Sequence, residues 1–201
     1  LQRLKAVREL IAADEANERT GICLLQLVER HLGDPEIMRP LLEVATETWP
    51  DSGYVGRPAK RWLAMLETIG KPFSELLPEE LRERFATVRD GEADFVVVQL
   101  WMGWLRNDDP ERPDPEIKAL RALREEFGKR VQLLGLLNGD ADERLPALRE
   151  AGVDWPQLPA ADPAPMKPPL GVPRLGVYFV LDAKGTVAGF CGRAAAAASR
   201  V

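Results

Sequence analysis

Few side chains in this sequence are of types that do covalent or metal chemistry, and their spacing is the first constraint. There are two cysteines, Cys23 and Cys191, and one histidine, His31, in 201 residues. Cysteines so far apart make neither a disulfide framework nor a Cys-based zinc site, and a single histidine excludes a multi-His metal site. Cys23 sits among Ile22, Leu24 and Leu25 and reads as a small buried hydrophobe. Cys191 is the alternative thiol; a catalytic role would require it to be exposed with a depressed pKa. A Cys23–Cys191 disulfide would need Cα atoms within about 7 Å and an oxidising compartment. His31 falls at a helix end before Gly33, where interaction with the helix dipole accounts for it.

Asp108, Asp109, Glu111, Asp114 and Glu116 form an acidic cluster. A Ca²⁺ ion wants about six to eight oxygens, but no EF-hand spacing or turn glycine is present. The simpler reading is a solvated loop whose acids favour the positive N-terminus of the next helix. Nor does anything indicate two carboxylates held about 5 to 9 Å apart for glycosidic chemistry. The sequence therefore predicts no metal and no cofactor.

Composition narrows the remaining classes. With 27 basic and 32 acidic side chains the net charge is −5, against the basic stripe of a nucleic-acid binder. At 45% hydrophobic and 29% charged the chain has an ordinary globular composition. Its longest apolar run, Phe95 to Leu105, is far short of the roughly 20 residues that span a bilayer. The first residue is Leu, so a fragment or processed form is expected, and no leader pattern is visible.

The elements that must position these residues change character along the chain. Apolar spacing predicts helices over Leu1–Ala16, Thr20–Leu32, Glu36–Thr48 and Arg57–Thr68. Asp34-Pro35 is a cap and first turn, and Trp49-Pro50-Asp51-Ser52-Gly53 is a turn. After Gly70-Lys71-Pro72 the sequence reads as mixed. Leu81–Val88 fits helix or strand. Phe95–Trp101 and Val131–Leu137 read as strands buried on both faces. Pro115–Phe127 and Asp140–Ala151 are helices closed by Gly128 and Gly152. Val177–Asp182 and Thr186–Phe190 form a hairpin about Ala183-Lys184-Gly185. Pro159 to Pro173 is a proline-dense extended loop, and Ala194–Ala198 is a short helix or tail.

Four segments in this order carry a resemblance: FVVVQLWMGWLRNDDPE, RVQLLGLLNGDADE, AGVDWPQL and LGVPRLGVYFVLDAKGTV. They resemble thioredoxin-fold proteins of the TlpA-like and AhpC/TSA (redoxin) group, over roughly Gly70 to Phe190. The resemblance implies a strand leading into a Trp-x-x-Trp-Cys-x-x-Cys segment at a helix start, with a cis-proline opposite. Register from Trp101 and Trp104 puts the two redox cysteines at Leu105 and Asp108, and register from Asp182 puts the cis-proline at Gly176. The group's chemistry needs a low-pKa thiolate and a resolving thiol, and neither position can supply one. Cys191 would lie at the far end of the sheet from Leu105.

The expectation is thus an α/β, thioredoxin-like mixed sheet flanked by helices (70–193), after an N-terminal helical segment (1–69) and before an Ala-rich tail (194–201). Its expected function is that of a redox-inert relative binding a protein or peptide through Trp104, Arg106, Gly176 and Val177. The alternative is a thiol-dependent oxidoreductase or peroxidase using Cys191. Members of this group are often exported, so the resemblance implies an extracytoplasmic, cell-envelope location.

Overall fold

The structure is a computed structural model describing residues 5, 9, 11, 13, 17–89, 91–101, 114–137, 141–159 and 177–197, without the side chains of 101, 143 and 195. It divides into two compact units, the first within residues 1–67 and the second from residue 68 onward.

The first unit is helical. Residues 5, 9, 11 and 13, the described part of the predicted first helix, are helical. Helix α1 (Glu18–Arg30) is capped by Asn17, whose side chain accepts from the Arg19 N–H. Asp34 caps α2 (Pro35–Thr48) by accepting from the Ile37 N–H at 3.3 Å. In the turn before α3 (Gly56–Leu66), Ser52 Oγ accepts from the Tyr54 and Val55 N–H groups at 3.1 and 2.9 Å. Their buried stripes carry Leu24 and Val28 on α1, Met38 and Leu42 on α2, and Ala59, Trp62 and Met65 on α3. At Gly56 two backbone stretches approach closely: a Cβ there would collide with the Trp49 carbonyl oxygen. One expectation fails in this unit, because Cys23 is exposed. The buried face of α1 is set by Gly21, Leu24, Leu25 and Val28, and at 100° per residue Cys23 falls off that stripe.

The second unit begins with Gly70-Lys71 paired to Val187 by two backbone hydrogen bonds, followed by a 3-10 turn at Phe73–Leu76. The ambiguous segment is helix α4 (Glu79–Val88), with Leu81 and Phe85 buried one turn apart. Strand β1 (Phe95–Trp101), helix α5 (Pro115–Phe127), strand β2 (Val131–Leu137) and helix α6 (Ala141–Glu150) follow as expected. A short strand, β3 (Gln157–Pro159), is not legible in the sequence because Pro156 before it and Pro159 at its end read as loop. Strands β4 (Tyr178–Asp182) and β5 (Val187–Cys191) and the short helix α7 (Ala194–Ala197) complete the unit. The Asp182 carboxylate accepts from the Lys184 and Thr186 N–H groups, and Gly185 takes φ 81°, which fixes the hairpin turn.

The sheet order is β3-β2-β1-β4-β5, with β1, β2 and β3 parallel and β4 antiparallel to both β1 and β5. Three parallel strands linked through helices, followed by an antiparallel hairpin and a closing helix, make a thioredoxin-like arrangement. Alternation along the strands splits the core. Val97, Leu133, Tyr178, Val180 and Cys191 pack under Ile117, Leu120 and Leu123 of α5 and Ala194 and Ala197 of α7. On the other parity, Phe179 meets Phe73 at 5.3 Å and Phe190 at 6.3 Å between ring centroids, and Phe73 meets Phe85 at 5.4 Å. Each large apolar side chain so buried contributes about 1.5–3 kcal/mol.

Candidate functional site

The C-terminal end of β1 is where the chain leaves the sheet at Trp101 and, on the neighbouring strand, re-enters at Val177. Val177 is buried, and its carbonyl accepts from the Leu100 N–H at 3.3 Å. Trp104, Leu105, Arg106, Asp108 and Gly176 lie outside the described residues, as do Asp109, Glu111 and most of the Pro159–Pro173 loop.

Below this end runs a polar row that the strands themselves build. Gln99 pairs with Tyr178 across β1 and β4, and Tyr178 with Cys191 across β4 and β5. Gln99 Nε2 donates to the Tyr178 hydroxyl at 3.4 Å. That hydroxyl donates to Glu116 Oε2 at 2.9 Å, and the same oxygen accepts from the Ala194 N–H at 2.7 Å. Glu116 is presented by the first turn of α5, where its own N–H is held by the capping carboxylate of Asp114 at 2.8 Å. Burial, reinforced by the negative charge of Glu116, raises the Tyr178 phenol far above its ordinary range. Tyr178 is therefore a neutral hydrogen-bond donor whose proton is committed to a carboxylate. Chemically the row holds strand ends, α5 and α7 in place; it presents no nucleophile.

Register also corrects the position expected for Cys191. It belongs to β5 and lies at the same end of the sheet as the end of β1, because β5 runs antiparallel to β4 and ends opposite Tyr178. Its thiol is 1% exposed and donates to the Arg193 carbonyl at 3.3 Å. Cys23 and Cys191 are not joined in a disulfide. The two described members of the acidic cluster are similarly committed, Asp114 as a helix cap and Glu116 to Tyr178 and Ala194. Among the described residues no group of three or more His, Cys, Asp or Glu side chains could hold a metal ion. No helix among them is long and apolar enough to cross a membrane.

Sequence reasoning passed over Gln99 and Tyr178 because both sit inside apolar runs. The signal was present: a glutamine in the middle of FVVVQLW, a strand buried on both faces, must find a partner across the sheet.

The sequence matches no family model and no curated protein. Some solved structures are similar to it at low identity. A thiol:disulfide interchange protein from Bacteroides sp. is 16% identical over 55% of this chain and 72% of its own, with a TM-score of 0.43. A thioredoxin-like protein from Bacteroides caccae ATCC 43185 is 12% identical over 90% of this chain and 76% of its own, with a TM-score of 0.42. A DsbF homologue from Corynebacterium diphtheriae is 22% identical over 54% and 67%, with a TM-score of 0.39.

Proposed function

We propose that this protein is a redox-inert member of the thioredoxin-like world, a polypeptide-binding or scaffold module related to thiol-disulfide oxidoreductases. The observation that carries the reading is the state of its thiols. The α/β unit contains one cysteine, Cys191, and that thiol is buried and bonded to a backbone carbonyl. Dithiol exchange needs an attacking thiolate with access to substrate and a second thiol to resolve the mixed disulfide. The resemblance puts Leu105 and Asp108 where those thiols would be, and Gly176 where the cis-proline would be. The proposed contacts are those the resemblance gives, Trp104, Arg106 and Gly176, together with the backbone at Val177, whose side chain is itself buried. Tryptophan and arginine are the side-chain types that most often anchor such contacts, through rigid aromatic area and a planar charged fork. An extracytoplasmic location is part of the same proposal.

The test is a disulfide-reduction assay with a dithiol donor on the native chain and on a Leu105→Cys/Asp108→Cys variant. The native chain should be silent and the double variant active. Reduction by the native chain that disappears in Cys191→Ser would overturn the reading in favour of a Cys191 enzyme. A thiol-blocked unfolded polypeptide is the probe for binding, and Trp104→Ala with Arg106→Ala should weaken it about tenfold or more, a loss of at least about 1.4 kcal/mol.

A further inference from the structure

The last described helix, α7 (Ala194–Ala197), does little to hold itself in place. Isolated helices shorter than about 12–15 residues are marginal in water, so a helix this short owes its conformation to what it touches. Of its described side chains, Ala196 is exposed, while Ala194 and Ala197 are buried in the core cluster of the sheet and α5. Each brings a single methyl, a fraction of what burying a leucine or phenylalanine contributes.

A carboxylate ties α7 to α5. The Ala194 N–H donates to Glu116 Oε2 at 2.7 Å, and the Tyr178 hydroxyl donates to the same oxygen at 2.9 Å. Hydrogen bonds to an ionised carboxylate are roughly twice as strong as neutral ones. Two other bonds at this corner are local: the Ala196 N–H and the Cys191 thiol both donate to the Arg193 carbonyl.

Cys191 and Tyr178 belong to the same cluster as Ala194 and Ala197, and each is 1% exposed. Opening free energies within one fold run from near zero at frayed ends to the full unfolding value in the core. An element with few large apolar side chains falls at the low end of that range. Strand β5 is not such an element, because it is paired with β4 and Phe190 is fully buried. The boundary between the two falls at Gly192-Arg193, which joins β5 to α7, and glycine gives the backbone freedom to turn there.

We propose that α7 is a cover hinged at Gly192-Arg193 and latched by Glu116, which opens while the sheet stays folded and exposes the Cys191 thiol. Closed, it shuts the one cysteine of the α/β unit off from solvent. Open, the end of the sheet where β1 and β5 finish presents a thiol. The cover does not depend on the polypeptide surface proposed above. Nor does it restore dithiol exchange, because the unit has no second cysteine to resolve a mixed disulfide whether α7 is open or closed.

The test follows alkylation of the full chain by iodoacetamide, read at Cys191 and Cys23 by peptide mass, with exposed Cys23 as the reference for an uncovered thiol. In buffer Cys191 should react about a hundred- to a thousandfold more slowly than Cys23, as an open state populated at about 0.1–1% would give. Its rate should stay nearly flat at low urea and rise steeply only where the sheet unfolds. Glu116→Gln, which keeps the shape and removes the charge, should speed Cys191 in buffer about tenfold. Phe85→Leu, a core change on the other face of the sheet, should lower the urea midpoint yet leave that rate within about twofold. A Cys191 rate that climbs with urea from the start as steeply as global unfolding, that equals the Cys23 rate, or that is unmoved by Glu116→Gln overturns the proposal.

Discussion

The helical unit and the α/β unit solve the same problem, burying apolar surface, with different treatment of polar groups. In the helical unit the buried side chains are apolar, among them Val28, Met38, Leu42, Ala45, Trp62 and Met65, and polar side chains such as Asn17, Asp34 and Ser52 bond at caps and turns. The α/β unit buries Gln99 and Tyr178 against Glu116. Among the described residues every buried side-chain polar atom without a partner, on Gln99, Trp155 and Gln157, also falls in this unit. Packing alone accounts for the first unit. The second gives up stability at specific polar positions, Gln99 near the end of β1 and Trp155 and Gln157 at the β3 edge of the sheet.

If packing dominates in both units, deleting it should hurt both, most where the site cannot collapse. Phe179 is fully buried between Phe73 and Phe190 in the middle of the sheet. Phe179→Ala should cost about 3–5 kcal/mol, read as a fall in the urea midpoint. In the helical unit the matching change adds an atom. Gly56→Ala drives a Cβ toward the backbone oxygens of Trp49 and Pro50, which cannot swing aside as a side-chain tip would, and should cost about 1–3 kcal/mol. A neutral Gly56→Ala would break the picture of a tightly packed helical turn.

The polar row sharpens the contrast between the units. Tyr178→Phe keeps the ring and removes the donor, leaving the Glu116 carboxylate short of one partner, at a cost of about 1–3 kcal/mol at neutral pH. The penalty has a pH signature. The folded-state pKa of Tyr178 is raised, so its stabilising contribution is complete below its ordinary value of 10.0 and is lost as pH rises above it. Tyr178→Phe should therefore flatten the alkaline limb of the stability curve. Gln99→Met should behave differently, changing stability little or raising it, because one end of that amide is already unpaired. Equal losses from the two changes would mean that Gln99 is an ordinary structural member of the row.

How far the sequence alone reached follows the same division. Elements with strong periodicity, Phe95–Trp101, Pro115–Phe127 and Val131–Leu137, have the expected boundaries because burial on one or both faces dictates their composition. The thioredoxin-like order could be read from those elements together with the hairpin signal at Lys184-Gly185. What could not be read depends on register. Cys23 was misjudged because neighbours in sequence are not neighbours on a helix face. Cys191 was placed at the wrong end of the sheet because the direction in which β5 ends relative to β1 appears only once the strands are paired. Strand β3 stayed hidden because three residues that follow Pro156 and end in Pro159 owe their conformation to the edge of β2, where the Gly135 N–H bonds the Pro156 carbonyl, and not to local propensity. The polar row is likewise a product of pairing, assembled from residues tens of positions apart.

The smallest expected effect tests whether an exposed charge pair of the α/β unit contributes to stability at all. Arg124 and Asp154 are both well exposed, so Arg124→Met should cost no more than about 1 kcal/mol at neutral pH. The hydrogen bond from Arg124 is the chief cause of the lowered pKa of Asp154. The pair's contribution is therefore present above the ordinary carboxyl value of 3.8 and is lost as pH falls through the lower, folded-state value. Native chain and variant should converge in stability at the acid end. A variant that keeps a deficit at the acid end would mean that Arg124 supports the α/β unit through the packing of its stem and not through its charge; convergence there would mean that the exposed pair acts through charge alone.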